Sequence, residues 1–219
     1  MRYNYQPMKY LTVLLLIVFG NAQSSLSTFK NSLLMDHNTN LPYTGVLESY
    51  NQDWNNNQVE FAQSYVGGIK QGDEKGYYKS GKLKSIGKFI KGKIEGVVEL
   101  YYENGTLQAR VDMNNGAKEG RAVSYHSNGY KESERFYFKG KVQGLARTWH
   151  ENGRLKTKVY YSNGMMNGEF VSYYESGVVS EEIKYDHGAP KFKRLYREDG
   201  TLADEAGFFD KELIEKILG

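Results

Sequence analysis

Glycine recurs in this chain on a fixed period, and that period limits the possible folds more than any other feature. Gly81, Gly105, Gly129, Gly153 and Gly177 are each 24 residues apart, and Gly200 follows after 23. A second series, Gly68, Gly92, Gly116, Gly140, Gly164 and Gly188, keeps the 24-residue step. A third, Gly72, Gly96, Gly120, Gly144 and Gly168, keeps it until Phe192 takes the next place. Three series in fixed phase mark a tandem repeat in which each unit is one supersecondary structure.

The unit can be read in the stretch from Gly96 to Gly120. Val97 to Tyr102 runs into Glu103-Asn104-Gly105, and Leu107 to Met113 runs into Asn114-Asn115-Gly116, so two strand-length segments alternate with two turns. Asn-Gly is the favoured pair of a two-residue type I′ hairpin turn, whose central positions both need positive φ. It stands at Asn104-Gly105, Asn128-Gly129, Asn152-Gly153, Asn115-Gly116 and Asn163-Gly164. The expectation is a hairpin at both turns of every unit. Gly81, Gly105, Gly129, Gly153 and Gly177 then shape the first turn, and Gly92, Gly116, Gly140 and Gly164 the second. The third series falls at the start of the following strand.

The second strand alternates cleanly. Leu107, Ala109, Val111 and Met113 share one face, as do Leu155, Thr157, Val159 and Tyr161, and again Val179, Glu181, Ile183 and Tyr185. The other face carries Gln108, Arg110 and Asp112. Period two with one polar side predicts a sheet covered on one face. Segments of about ten residues between glycines are too short for stable helices. The fold expected is all-β: an elongated, single-layer antiparallel sheet of six to seven tandem β-hairpin repeats over residues 42–207. Pro42 to Gly68 reads as a degenerate repeat with an Asn-rich insertion at Asn55 to Asn57. A short C-terminal capping helix is expected in 208–219, where Asp210 caps a segment whose Leu213, Ile214, Ile217 and Leu218 share a face above Phe208 and Phe209. Residues 23–41 are polar, lack periodicity and read as a flexible leader.

Arg2 and Lys9 precede an apolar run from Tyr10 to Phe19, and Gly20-Asn21-Ala22 completes the form of a secretory signal peptide over residues 1–22. Met8 offers a second possible start. About ten apolar residues are too few to cross a bilayer. The chain has no cysteine, hence no disulfide, no thiolate site and no acylation site of a lipoprotein. The expectation is an exported protein, periplasmic, cell-surface or secreted. Lys and Arg total 29 against 26 Asp and Glu, and removal of Arg2 and Lys9 leaves 27 against 26. That balance excludes nucleic acid as an electrostatic partner and gives no support to binding of an anionic membrane.

Tyr101-Tyr102-Glu103-Asn104-Gly105-Thr106-Leu107 followed by Asn115-Gly116-Ala117-Lys118-Glu119-Gly120 resembles the MORN repeat, and more closely the bacterial MORN variant of proteins labelled YwqK-family antitoxins. Tyr77 to Leu83 and Tyr173 to Gly177 repeat the first half, and Gly92 to Gly96 and Gly140 to Gly144 the second. The period of 24, with Val98, Ala122, Ala146 and Phe170 where the eukaryotic pattern has another glycine, favours the variant. The resemblance covers about residues 42–207 and implies a scaffold or binding surface without catalytic residues. An antitoxin label sits poorly with an export signal.

No constellation outside the repeat suggests an enzyme, and no cofactor is implied. The histidines are His37, His126, His150 and His187. His126 and His150 hold one place in successive units, about 9.6 Å apart at twice the strand spacing, which favours a structural aromatic or polar ladder over a zinc site. The glycines join strands and do not open helices, so they form no phosphate loop. Tyr77, Tyr101, Tyr125, Trp149, Tyr173 and Tyr196 hold another single place. That row is the candidate binding surface; its plainer reading is cross-strand packing. The leading functional expectation is a protein-interaction module or scaffold. The alternative is a cell-envelope polysaccharide binder that uses the aromatic row, and third stands an antitoxin or immunity-type partner of a toxin.

Overall fold

The computed structural model describes residues 27–30, 32–36, 38–51, 54 and 58–207. The chain opens with β1 (Ser27–Lys30) and β2 (Leu33–Asp36). Next come β3 (Gly45–Tyr50), β4 (Val59–Val66), β5 (Ile69–Tyr77), β6 (Leu83–Ile90), β7 (Lys93–Tyr101) and β8 (Leu107–Asn114). The middle holds β9 (Ala117–Tyr125), β10 (Lys131–Phe138), the two-residue β11 (Lys141–Val142) and β12 (Gly144–Trp149). The last are β13 (Leu155–Ser162), β14 (Met165–Tyr173), β15 (Val179–Asp186), β16 (Ala189–Tyr196) and β17 (Leu202–Gly207).

Strands β3 to β17 form one 15-stranded antiparallel sheet in chain order, with β11 a short continuation beside β10. The expected all-β, single-layer antiparallel sheet of tandem hairpins is therefore what the chain forms. Its apolar side follows the alternation. Phe89, Ile94, Val98, Val111, Met113 and Ala122 form one buried cluster, and Ala146, Val159, Phe170 and Tyr185 a second. Phe170 and Tyr185 meet edge to face at 6.5 Å. Each buried side chain of this size contributes about 1.5–3 kcal/mol. The polar side carries ion pairs such as Arg121 with Glu134.

The two turns of a unit differ, which corrects one expectation. The second turn is the two-residue type: Asn114 faces Ala117 across it, with φ of 53° at Asn115 and 86° at Gly116. Asn163-Gly164 does the same at 54° and 86°. In the first turn only the glycine has positive φ. The Gly105 amide donates to the Tyr102 carbonyl (2.8 Å) and the Tyr102 amide to that of Thr106 (2.9 Å), closing a three-residue loop with a bulge. There the asparagine serves as an acceptor: Asn104 Oδ1 takes the Thr106 amide at 2.9 Å, and Asn128 and Asn152 repeat the arrangement.

The third glycine series also has a sharper role than a strand start. Val111 pairs with Ala122 and Met113 with Lys118, so three residues of β9 stand opposite one of β8. Gly120 sits in this wide bulge at φ 104°, where an added Cβ would lie 2.8 Å from Asp112 Oδ2. The last unit is one residue shorter. Lys184 pairs with Phe192 and Tyr185 with Pro190, leaving a single extra residue. That smaller bulge explains both the 23-residue step and the end of the glycine series at Phe192.

A second correction concerns the leader at 23–41. Ser27–Lys30 and Leu33–Asp36 pair as antiparallel strands β1 and β2, in which Leu34 is 1% and Met35 8% exposed. The Leu34 amide donates to the Gly68 carbonyl at 2.9 Å, and the Tyr43 amide to that of Leu34 at 2.8 Å. The apolar run Leu33-Leu34-Met35 is too short to show a period, yet it packs against Gly68 in the turn between β4 and β5. The signal peptide at 1–22, the capping helix in 208–219, the Asn-rich insertion at 55–57 and His37 lie outside the described residues.

Candidate functional site

Successive units are joined by side chains as well as by the sheet. From Tyr78 on, in every unit but the last, where Arg197 bonds to Thr201 and Leu202 of its own turn, the residue that opens the first turn reaches one unit ahead to a backbone carbonyl. Tyr78 donates its hydroxyl to the carbonyl of Tyr101 (2.6 Å), Tyr102 to Tyr125 (2.8 Å) and Tyr174 to Tyr196 (2.8 Å). In the same column His126 Nε2 lies 3.0 Å from the Trp149 carbonyl and His150 Nε2 2.9 Å from that of Tyr173. A carbonyl can only accept, so both rings carry a proton on Nε2. The two imidazoles serve separate carbonyls, as a polar ladder requires. Among the described residues no group of three His, Cys, Asp or Glu is placed to hold a metal ion. His187 stands exposed at a turn with Nδ1 2.6 Å from Asp186 Oδ1.

Two further ladders run beside this one. Asn104, Asn128 and Asn152 donate Nδ2 to the carbonyls of Ser127, Glu151 and Glu175 at 3.4, 2.8 and 3.2 Å. On the second turn, Gln71, Glu95, Glu119 and Gln143 accept the turn amides of Lys91, Asn115, Lys139 and Asn163 at 2.8, 2.6, 2.5 and 2.8 Å. Sequence reasoning missed this last column. Its signal was present as a Glu or Gln before Gly72, Gly96, Gly120 and Gly144, with Asn167 before the fifth, Gly168.

The candidate row of Tyr77, Tyr101, Tyr125, Trp149, Tyr173 and Tyr196 closes the first strand of each unit, and all six side chains are half-buried. The row supplies the carbonyls of the tyrosine and histidine ladder. Tyr101 donates its hydroxyl to Glu99 Oε2 at 2.6 Å, and Tyr196 to Glu182 Oε2 at 2.8 Å. The hydrogen bond to Glu99, then burial, raises the Tyr101 phenol above its ordinary pKa. Trp149 carries the Lys131 ammonium 5.3 Å from its ring centre.

The same polar face presents apolar surface at its middle. Glu134 of β10 faces Arg147 of β12. Two residues further along those strands stand Phe136, 50% exposed, and Leu145, 41% exposed. Leu145 pairs with Tyr160 of β13, 47% exposed, and Phe138 follows Phe136 on the same face. Charge frames this patch. Burial acts to raise the pKa of Glu134, but the hydrogen bond from Arg121 and the charges of Lys131, Arg121 and Arg147 outweigh it and hold the carboxyl below its ordinary value.

Among curated proteins none matches the chain. Four segments in phase with the 24-residue period, residues 70–91, 94–115, 142–163 and 166–187, match the family model of the MORN repeat variant, so these units of the sheet are similar to that repeat in sequence.

Proposed function

We propose that the protein is an exported, non-enzymatic interaction module whose sheet holds a protein partner. The observation that carries this reading is the exposed apolar patch of Phe136, Phe138, Leu145 and Tyr160 on the face that also carries the Arg121–Glu134 and Arg110–Glu99 ion pairs. MORN repeats are in general modules of protein or lipid interaction, and the resemblance supports the same use here. An immunity-type role toward a toxin would be one form of that activity. The glycan-binding alternative rests on the row from Tyr77 to Tyr196, whose half-buried rings, with the Tyr101 and Tyr196 hydroxyls held by Glu99 and Glu182, suit packing better than stacking on sugar.

The test is affinity purification of the tagged chain from its native cells, followed by mass spectrometry, in parallel with a Phe136→Ser, Tyr160→Ser variant. A protein retained by the unaltered chain and lost by the variant, at unchanged circular dichroism, is the expected result. Binding to purified cell wall that survives this double substitution and fails on Tyr125→Ala, Trp149→Ala would replace it with the glycan reading. Export is tested by N-terminal sequencing of the mature chain, expected to begin at Gln23.

A further inference from the structure

The apolar face of the sheet contains two positive charges with no negative partner. Lys118 on β9 pairs with Met113, and Arg135 on β10 pairs with Ala122, both neighbours being members of the first buried cluster. The Lys118 ammonium lies 5.1 Å from the ring centre of Tyr137, which packs against that cluster. Arg135 Nη1 donates to Ser133 Oγ at 3.1 Å, and Ser133 in turn shares a buried hydrogen bond of 2.8 Å with Ser124. Among the described residues neither cation has a carboxylate within ion-pair distance.

The repeat supplies its own control. One unit to either side, the place of Lys118 is taken by Ile94 and Val142, and that of Arg135 by Val159 one unit on and Val111 one unit back. The fold therefore has no need of a cation at either position. Lys70, two units before Lys118, is the informative exception, because it forms an ion pair with Glu74 four residues on. Four residues after Lys118 stands Ala122, so the carboxylate that neutralises Lys70 is missing where the second cation has been added. Burial, then the charge of Arg135, pushes the Lys118 ammonium below its ordinary pKa, as expected of two like charges in half-buried surroundings.

We propose that Lys118 and Arg135, with the Ser133 hydroxyl, form a binding site for a doubly charged tetrahedral oxyanion, a phosphate or sulfate group, free or carried on a small organic ligand. Two unit charges of one sign in a partly desolvated place are neutralised by one group of charge near −2. A guanidinium fork and a three-donor ammonium suit its several oxygens.

The experiment is calorimetric titration of the full chain with inorganic phosphate, with sulfate, with glucose 6-phosphate and with acetate, at constant ionic strength set with chloride. Phosphate and sulfate should bind at least tenfold more tightly than acetate. Glucose 6-phosphate matching or exceeding phosphate would identify the natural ligand as an ester, and weaker binding a free ion. Lys118→Ile with Arg135→Val, which gives this unit the residues of its neighbours, should weaken phosphate binding at least tenfold while circular dichroism is unchanged. Ala122→Glu, which rebuilds the Lys70–Glu74 arrangement with both cations kept, should weaken it to the same degree. Phosphate binding no tighter than acetate, or binding that survives these variants, overturns the proposal.

Discussion

Tyr102 reaches the carbonyl of Tyr125 with a hydroxyl, and His126 reaches that of Trp149 with Nε2. At this column the reach of a ring-borne donor matters more than its chemistry. His126→Tyr should therefore hold stability within about 0.5 kcal/mol, whereas His126→Phe, which leaves the carbonyl without its donor, should lose about 1 kcal/mol in urea denaturation. Tyr65 offers a residue-scale test by pH. Burial, then the charge of Glu74, pushes its phenol up to about 12. The folded state keeps that proton where the unfolded chain, titrating near 10, has released it. Stability present below pH 10 should fall as pH rises from 10 toward 12, and Tyr65→Phe should reduce the slope of that loss. At this scale the sequence was legible in kind: the place shared by His126 and His150 pointed to a ladder. The Glu and Gln column stayed unread because a side chain that accepts a turn amide from another unit leaves no mark in local alternation.

The wide bulge is the element that sequence alone described least well. Gly120 holds φ 104° with Asp112 Oδ2 2.8 Å from where a Cβ would sit, and Asp112 Oδ2 also accepts the Arg121 amide at 2.9 Å. Gly120→Ala must strain the backbone and displace that carboxylate, and should cost at least about 1 kcal/mol, read from the urea midpoint. The strands and their faces were legible because period two and the glycine series agree. The two turns were not separable in advance, since Asn-Gly occurs in both. Only geometry distinguishes an asparagine that adopts positive φ, as Asn115 does, from one that accepts an amide, as Asn104 does. The β1–β2 pair escaped notice for a related reason: its contacts are with Gly68 and Tyr43, outside its own segment.

For the whole molecule, stability is spread over near-identical units, each held mainly by its neighbours. Deleting residues 142–165, one full period, should leave a folded sheet with unchanged ellipticity per residue and a lower midpoint of thermal unfolding. The sequence predicts that 208–219 cap the sheet beside its last described strand, β17, so deleting them is expected to give aggregated protein in size-exclusion chromatography. A monodisperse truncation would sink that expectation.

The short last unit shows what the bulges do for the chain as a length of text. Between Pro190 and Lys193 stands one residue fewer than between Lys118 and Ala122, yet Tyr196 still pairs with Leu202 as Tyr173 does with Val179. The bulge works as slack in each unit, taking up a dropped residue before it can shift the reading frame of the strands beyond. Single-residue losses there are confined to one unit, whereas the same loss inside the two-residue turn at Asn115-Gly116 would put every downstream side chain of its strand on the wrong face.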